Sequence, residues 1–213
     1  MNGNIDVFKD ICESDLFYFN IYNNLQMVSD SNKILFAAYC SEGLYQYYLN
    51  RFEGVNDKSS SSILGTILDK VWGHINNKTM NQIIIEKALL ELEEIEFEDD
   101  CSDETDVSID VVTTIWFAVS ACSKDSINNA ISALKNVFDR VYQILSDKIL
   151  GRVCIIDTSE LDKINSLIEE ESLMKNIKQK ILEISLYLKT KNVFDDEEIT
   201  KLKKDAATLL FEN

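Results

Sequence analysis

The chain has no proline and only six glycines in 213 residues, where average usage would supply about ten prolines. It therefore lacks the two residues that punctuate turns most strongly. A helical bundle has little use for proline, which costs about 3 kcal/mol inside a helix. AT-rich coding is a second cause, since lysine outnumbers arginine eighteen to three. There is a single histidine, His74, which excludes His-pair metal sites and leaves a catalytic triad without a partner motif. Its position near a helix C-terminus predicts a cation that complements the helix dipole.

The five cysteines, Cys12, Cys40, Cys101, Cys122 and Cys154, show no C-x-x-C spacing. An odd, scattered set predicts reduced thiols in a cytoplasmic protein. Residues 1–17 carry Asp6, Lys9, Asp10, Glu13 and Asp15, where a signal sequence needs a basic start and an apolar core. The longest uncharged apolar run, Val111 to Ser123, is too short to span a bilayer. No G-x-x-x-x-G-K, G-x-G-x-x-G or G-x-S-x-G motif occurs, and the paired histidines and glycine-bearing loops of metal sites are missing. Three arginines and a net charge of −16 give no electrostatic footprint for nucleic acid. The expectation is a protein that is not an enzyme and holds no metal or cofactor.

What the chain does have is acid. Between Ala88 and Ser123 there are eleven Asp or Glu residues and no Lys or Arg. Such a block repels nucleic acid and anionic membranes and attracts a basic protein surface. Glu94, Glu96, Glu98, Asp99, Asp100, Asp103 and Glu104, within Glu91–Asp106, are the expected partner-binding residues, and a loop is predicted at 99–106.

Helical periodicity fills most of the rest. After Ser123, a candidate N-cap, Ile127, Ala130, Ile131, Leu134, Val137, Phe138, Val141, Tyr142 and Leu145 recur at three- and four-residue steps, which puts them on one face. That helix is expected to end near Gly151. Ser59–Ser62 cap a helix through Ile75, and Thr79 with Gln82 fits a capping box for the next. Phe194, Asp195, Glu198 and Ile199 supply a capping box and a hydrophobic staple together. Further helices are predicted over 6–25, 32–52, 109–122 and 161–189, which a break at 169–172 would divide. Val153–Asp157 is the sole strand-like run. The fold class expected is all-α, one domain over residues 1–213, with about seven to nine helices. Most of the aromatic cluster Phe36, Tyr39, Tyr47 and Phe52 is assigned to the core, with Tyr45 and Tyr48 candidates for a partner surface.

Residues 36–45, Phe-Ala-Ala-Tyr-Cys-Ser-Glu-Gly-Leu-Tyr, and then 67–72, Ile-Leu-Asp-Lys-Val-Trp, resemble the YjaG-type family, a domain-of-unknown-function group of all-helical bacterial proteins. The resemblance implies a small helical protein in which Glu42, Tyr45, Asp69 and Trp72 are the matched positions. It also marks departures: Gly43 stands where the family has arginine, Gln46 where proline is common, and Trp116-Phe117 where Ala-x-Asp-Ala is frequent. An Asp69–Trp72 pair joining two helices is the structural role expected of these positions.

Two functions follow as expectations. An acidic interaction protein fits best, specifically an immunity protein of a toxin–antitoxin or contact-dependent inhibition system, neutralising a basic toxin domain such as a nuclease. The alternative is a housekeeping small-molecule binder or enzyme with a polar site near Glu42 and Asp69, which requires a cleft there.

Overall fold

The computed structural model describes residues 15–52, 58–97, 102–151 and 158–211. Among them are nine α-helices and no strand: α1 (Leu16–Gln26), α2 (Asp30–Phe52), α3 (Lys58–Asn77), α4 (Gln82–Glu93), α5 (Asp103–Ala121), α6 (Ser126–Leu150), α7 (Thr158–Glu170), α8 (Ser172–Thr190) and α9 (Asp196–Ala206). The strand-like run at 153–157 and residues 6–14 of the first expected helix lie outside the described residues.

Helix α2 is the axis of the molecule. Its residues 34–44 are buried without interruption, a pattern that only a helix enclosed on all sides tolerates. It packs on α5, α6, α3, α9 and α8, and the α5–α6 pair closes one flank. Buried side chains from all nine helices form one continuous cluster. Tyr39, wholly buried, donates its hydroxyl to Asp205 just inside the end of α9 at 2.5 Å. Burial, followed by that carboxylate, raises the tyrosine's pKa far above its ordinary value.

Local chemistry explains the helix ends. Asp195 and Glu198 form both halves of the capping box that opens α9, at 2.9 and 3.1 Å, and Phe194 is buried. Gly151 ends α6 at φ +48, in the left-handed region where glycine has no steric penalty. The break between α7 and α8 falls at Glu171.

Three expected starts are corrected. Asn81, not Thr79, caps α4, its Oδ1 accepting the Ile84 N–H at 3.1 Å. Asp125 rather than Ser123 precedes α6; Ser123 donates its hydroxyl to the Ser120 carbonyl and finishes α5 instead. The predicted 99–106 loop is helical from Asp103 onward, because Ser102 caps the Thr105 N–H at 3.2 Å. Three acids, Asp103, Glu104 and Asp106, sit in the first turn of α5, where they favour the helix by facing its positive end.

Candidate functional site

Three places gather chemistry-bearing side chains, and they differ in how far those side chains are already satisfied. The first is the matched set at the α2–α3–α9 junction. Glu42 is 2% exposed, so its charge needs partners. Oε2 accepts the Trp72 indole N–H at 2.9 Å and Oε1 accepts the Gln46 amide at 2.9 Å. Lys203 of α9 stands 3.9 Å from Oε2 and pairs with Asp69. The acceptor for Trp72 is therefore Glu42, across two helices, and not Asp69. Asp69 lies one turn before Trp72 with its side chain 67% exposed, and it holds Lys203 rather than the indole.

Tyr45 belongs to the same packing. Its hydroxyl donates to the Ser61 carbonyl at 3.0 Å and lies over Gly65, where an added Cβ would meet it at 2.5 Å. A larger residue at 65 would have to push the Tyr45 ring away from the Ser61 carbonyl. Gly43 is closed in the same way, 2.9 Å from Leu209 measured from a Cβ position, so a larger side chain there would have to displace Leu209. Tyr48 is buried, which removes it from the expected partner surface.

The second place is an ion network between α2, α5 and α6, buried at Arg140 and open to solvent at Arg51 and Asp103. Arg140 is 3% exposed, yet it is charged. It grips Asp110 through Nε and Nη2, at 2.7 and 2.6 Å, and reaches Asp103 at 3.6 Å. Arg51 holds the same Asp103 at 2.6 and 2.8 Å. Burial pushes the Asp110 carboxyl above its ordinary range, and the Arg140 guanidinium pulls it back. Two of the chain's three arginines thus neutralise acids of the stretch expected to be uncompensated. Arg140 escapes a reading by charge runs, and it also lies off the apolar face that periodicity assigns to α6, so only the crossing of α5 and α6 buries it.

At the other end of the stretch, Glu93, Glu94 and Glu96 are exposed and take part in no ion pair among the described residues. Glu104 is half-buried and Asp106 exposed, both in the first turn of α5. Of the expected docking residues, Glu94, Glu96 and Glu104 are unpaired, Asp103 is engaged by the two arginines, and Glu98, Asp99 and Asp100 lie outside the described residues.

The third place is a surface pocket of about 350 Å3 where α4, the end of α5 and the start of α6 meet. Ile85, Leu89 and Trp116 give it an apolar wall, with Gln82, Ser120 and Lys124 on the rim. Neither Glu42 nor Asp69 lines it. His74 sits in the last turn of α3. Its Nδ1 accepts the Met80 N–H at 3.0 Å, and burial together with Lys78 lowers its pKa. It is a neutral acceptor tying the end of α3 to the approach to α4, not the expected cation at a helix terminus.

Comparison with known families matches residues 20–211 to a family model described as "Protein of unknown function (DUF416)". The chain belongs to the DUF416 family. A crystal structure of a DUF416 family protein from Shewanella baltica OS155 shares the fold, with a TM-score of 0.68 at 16% identity over 87% of this chain and 92% of that one. No curated protein matches the chain. The DUF416 fold is thus all-helical here, and no described helix is long and apolar enough to cross a membrane.

Proposed function

We propose that this DUF416 protein is an acidic interaction protein that binds a basic protein partner. In its narrower form it is a cytoplasmic immunity protein of the YjaG-type group, covering the basic face of a bacterial toxin domain that cuts nucleic acid. It works by binding and not by catalysis. The observation that carries the reading is the exposed set Glu93, Glu94 and Glu96, which no base of the described residues neutralises. Surface carboxylates in such a cluster raise the encounter rate with a basic face and repel nucleic acid. Glu104, half-buried in the first turn of α5, is a further carboxylate with no base beside it among the described residues.

The small-molecule alternative draws no support from the geometry at Glu42. Both carboxylate oxygens there accept hydrogen bonds from the protein's own side chains, which leaves no convergent polar group aimed at a ligand.

Co-expression tests the proposal. The basic C-terminal domain encoded beside this gene is expected to be toxic alone, to be tolerated with this chain, and to form a complex that weakens between about 0.05 and 0.5 M salt as the Debye length falls well below 10 Å. Toxicity unchanged by co-expression, or a neighbouring gene with no basic domain, would overturn the immunity form.

A further inference from the structure

Helix α4 presents two large aliphatic side chains directly to solvent. Ile83 is 76% exposed and Leu90 57%. Seven residues separate them, two turns of a helix, so both lie on one line about 10.5 Å apart. The buried residues Ile85, Ala88 and Leu92 point the other way, into the core. The exposed line is thus the outermost ridge of α4, opposite the side that holds the helix in the fold.

Charge frames this ridge asymmetrically. Glu86 and Glu93 flank it on one side, and Glu94 ends it. Lys87, the sole base of α4, is drawn to Glu91 at 3.6 Å. An apolar centre with a charged rim is the anatomy of a protein interface. Here the rim is predominantly acidic, with Lys87 as the one base on the opposite flank. A second copy of the chain is a poor occupant, because each copy brings a net charge of −16 and the two acidic rims would meet.

We infer that the outer ridge of α4 is a docking surface for a basic amphipathic helix of the partner, with Ile83 and Leu90 as apolar anchors and Glu86, Glu93 and Glu94 as the acidic rim. The inference rests on the proposed function and adds to it the kind of partner segment recognised. Aliphatic residues at i, i+3, i+4 and i+7 of that helix would cover the ridge, and lysines beside them would meet the rim. Charge would bring the partner in, and the two aliphatics would set how long it stays.

Two synthetic peptides of identical lysine–leucine composition test it. One arranges the leucines at helical i, i+3, i+4 and i+7 spacing; the other scatters them so that no apolar face forms. Fluorescence anisotropy at about 0.05 M salt is expected to show the amphipathic peptide binding about tenfold more tightly, the order for covering two aliphatic side chains after ordering costs. Ile83→Ser with Leu90→Ser should erase that margin while the circular dichroism spectrum and melting temperature stay unchanged, since both positions face water. If the parent binds the two peptides equally, or the double variant keeps the margin, the ridge is not the anchor. Salt-sensitive binding of both peptides would then leave the acidic reading standing. If neither peptide binds at low salt, both the ridge and the acidic reading fall.

Discussion

The two ends of the acidic stretch begin from the same sequence property and finish in different physical states. At one end, Glu93, Glu94 and Glu96 remain in water with no base beside them. At the other, Asp103 and Asp110 are drawn into the molecule by Arg51 and Arg140, which arrive from α2 and α6. A run of like charges in one segment says nothing of what tertiary structure brings against it. The arginines lie 52 and 30 positions from their carboxylates, and only the crossing of α2, α5 and α6 makes them neighbours. The same formal charge therefore holds three helices together at one end and is free for a partner at the other.

The sharpest way to break this comparison is to remove Arg140. Arg140→Met would leave Asp110 half-buried without its cation, and an uncompensated charge in such a place costs about 3 kcal/mol. Urea unfolding should show a loss of that order, and Asp110→Asn in the same chain should recover part of it. The loss should also depend on pH. Asp110 already has a raised pKa in the folded state, so its protonated form favours folding, and the benefit fades as pH rises through the raised value. With Arg140 gone the pKa climbs further, so the deficit of the variant should shrink as pH falls from 7 toward 4. A deficit that stays constant across that range would show that Arg140 acts through packing alone.

Asp103→Asn should follow with a smaller effect. Asp103 is partly exposed and shared between two arginines, so its neutralisation should cost about 1 kcal/mol, the upper end for an accessible pair. Reversal to lysine would be worse, since it places a third cation beside Arg51 and Arg140. Stability unchanged by either substitution would return Asp103 to the set of residues free for a partner.

Most of the fold was legible in the sequence because it depends on near neighbours. The inward face of α6, the capping box of α9 and the glycine after α6 each rest on residues a few positions apart. The start of α5 was misplaced because a dense acidic run reads as loop, although acids are the residues a helix N-terminus favours. Asn81 caps α4 where the Thr79–Gln82 spacing predicts Thr79, and nothing local distinguishes an Asn cap from a Thr cap two positions away. The positions Glu42 and Trp72 stand out in the sequence only by resemblance, and their mutual hydrogen bond joins residues thirty positions apart that only the α2–α3 packing brings together. The candidate docking site was legible in composition, yet which of its acids stay in water depends on two distant arginines.

His74 links the comparison to the helix that carries the exposed end. Because Nδ1 accepts the Met80 N–H and burial depresses the pKa, protonation opposes the link between α3 and α4. A depressed histidine contributes stability that is present above the ordinary value near 6.5 and is lost as pH falls through the lower folded value. As the chain's one histidine, it gives a single imidazole titration by NMR, which should lie below that of the unfolded chain. His74→Gln should flatten the acid limb of stability in that window. A titration above 6.5 would mean that the ring is a cation after all.

The smallest effect on stability is expected where the effect on binding is largest. Glu93, Glu94 and Glu96 touch no base among the described residues, so neutralising them to glutamine removes no attraction within the fold. It also relieves mutual repulsion among neighbouring carboxylates. The triple variant should stay within about 0.5 kcal/mol of the parent in urea, as surface changes usually do. Association with a basic partner should nevertheless slow, and its salt dependence should flatten, because long-range steering depends on the sum of charge and not on any single contact. Asp103→Asn is the control, with the opposite signature of a stability loss and little change in association rate. Should the triple variant unfold more readily than Asp103→Asn, the exposed acids hold the protein together and the contrast between the two ends fails. If its association is as fast and as salt-sensitive as the parent's, the partner approaches from another side of the molecule.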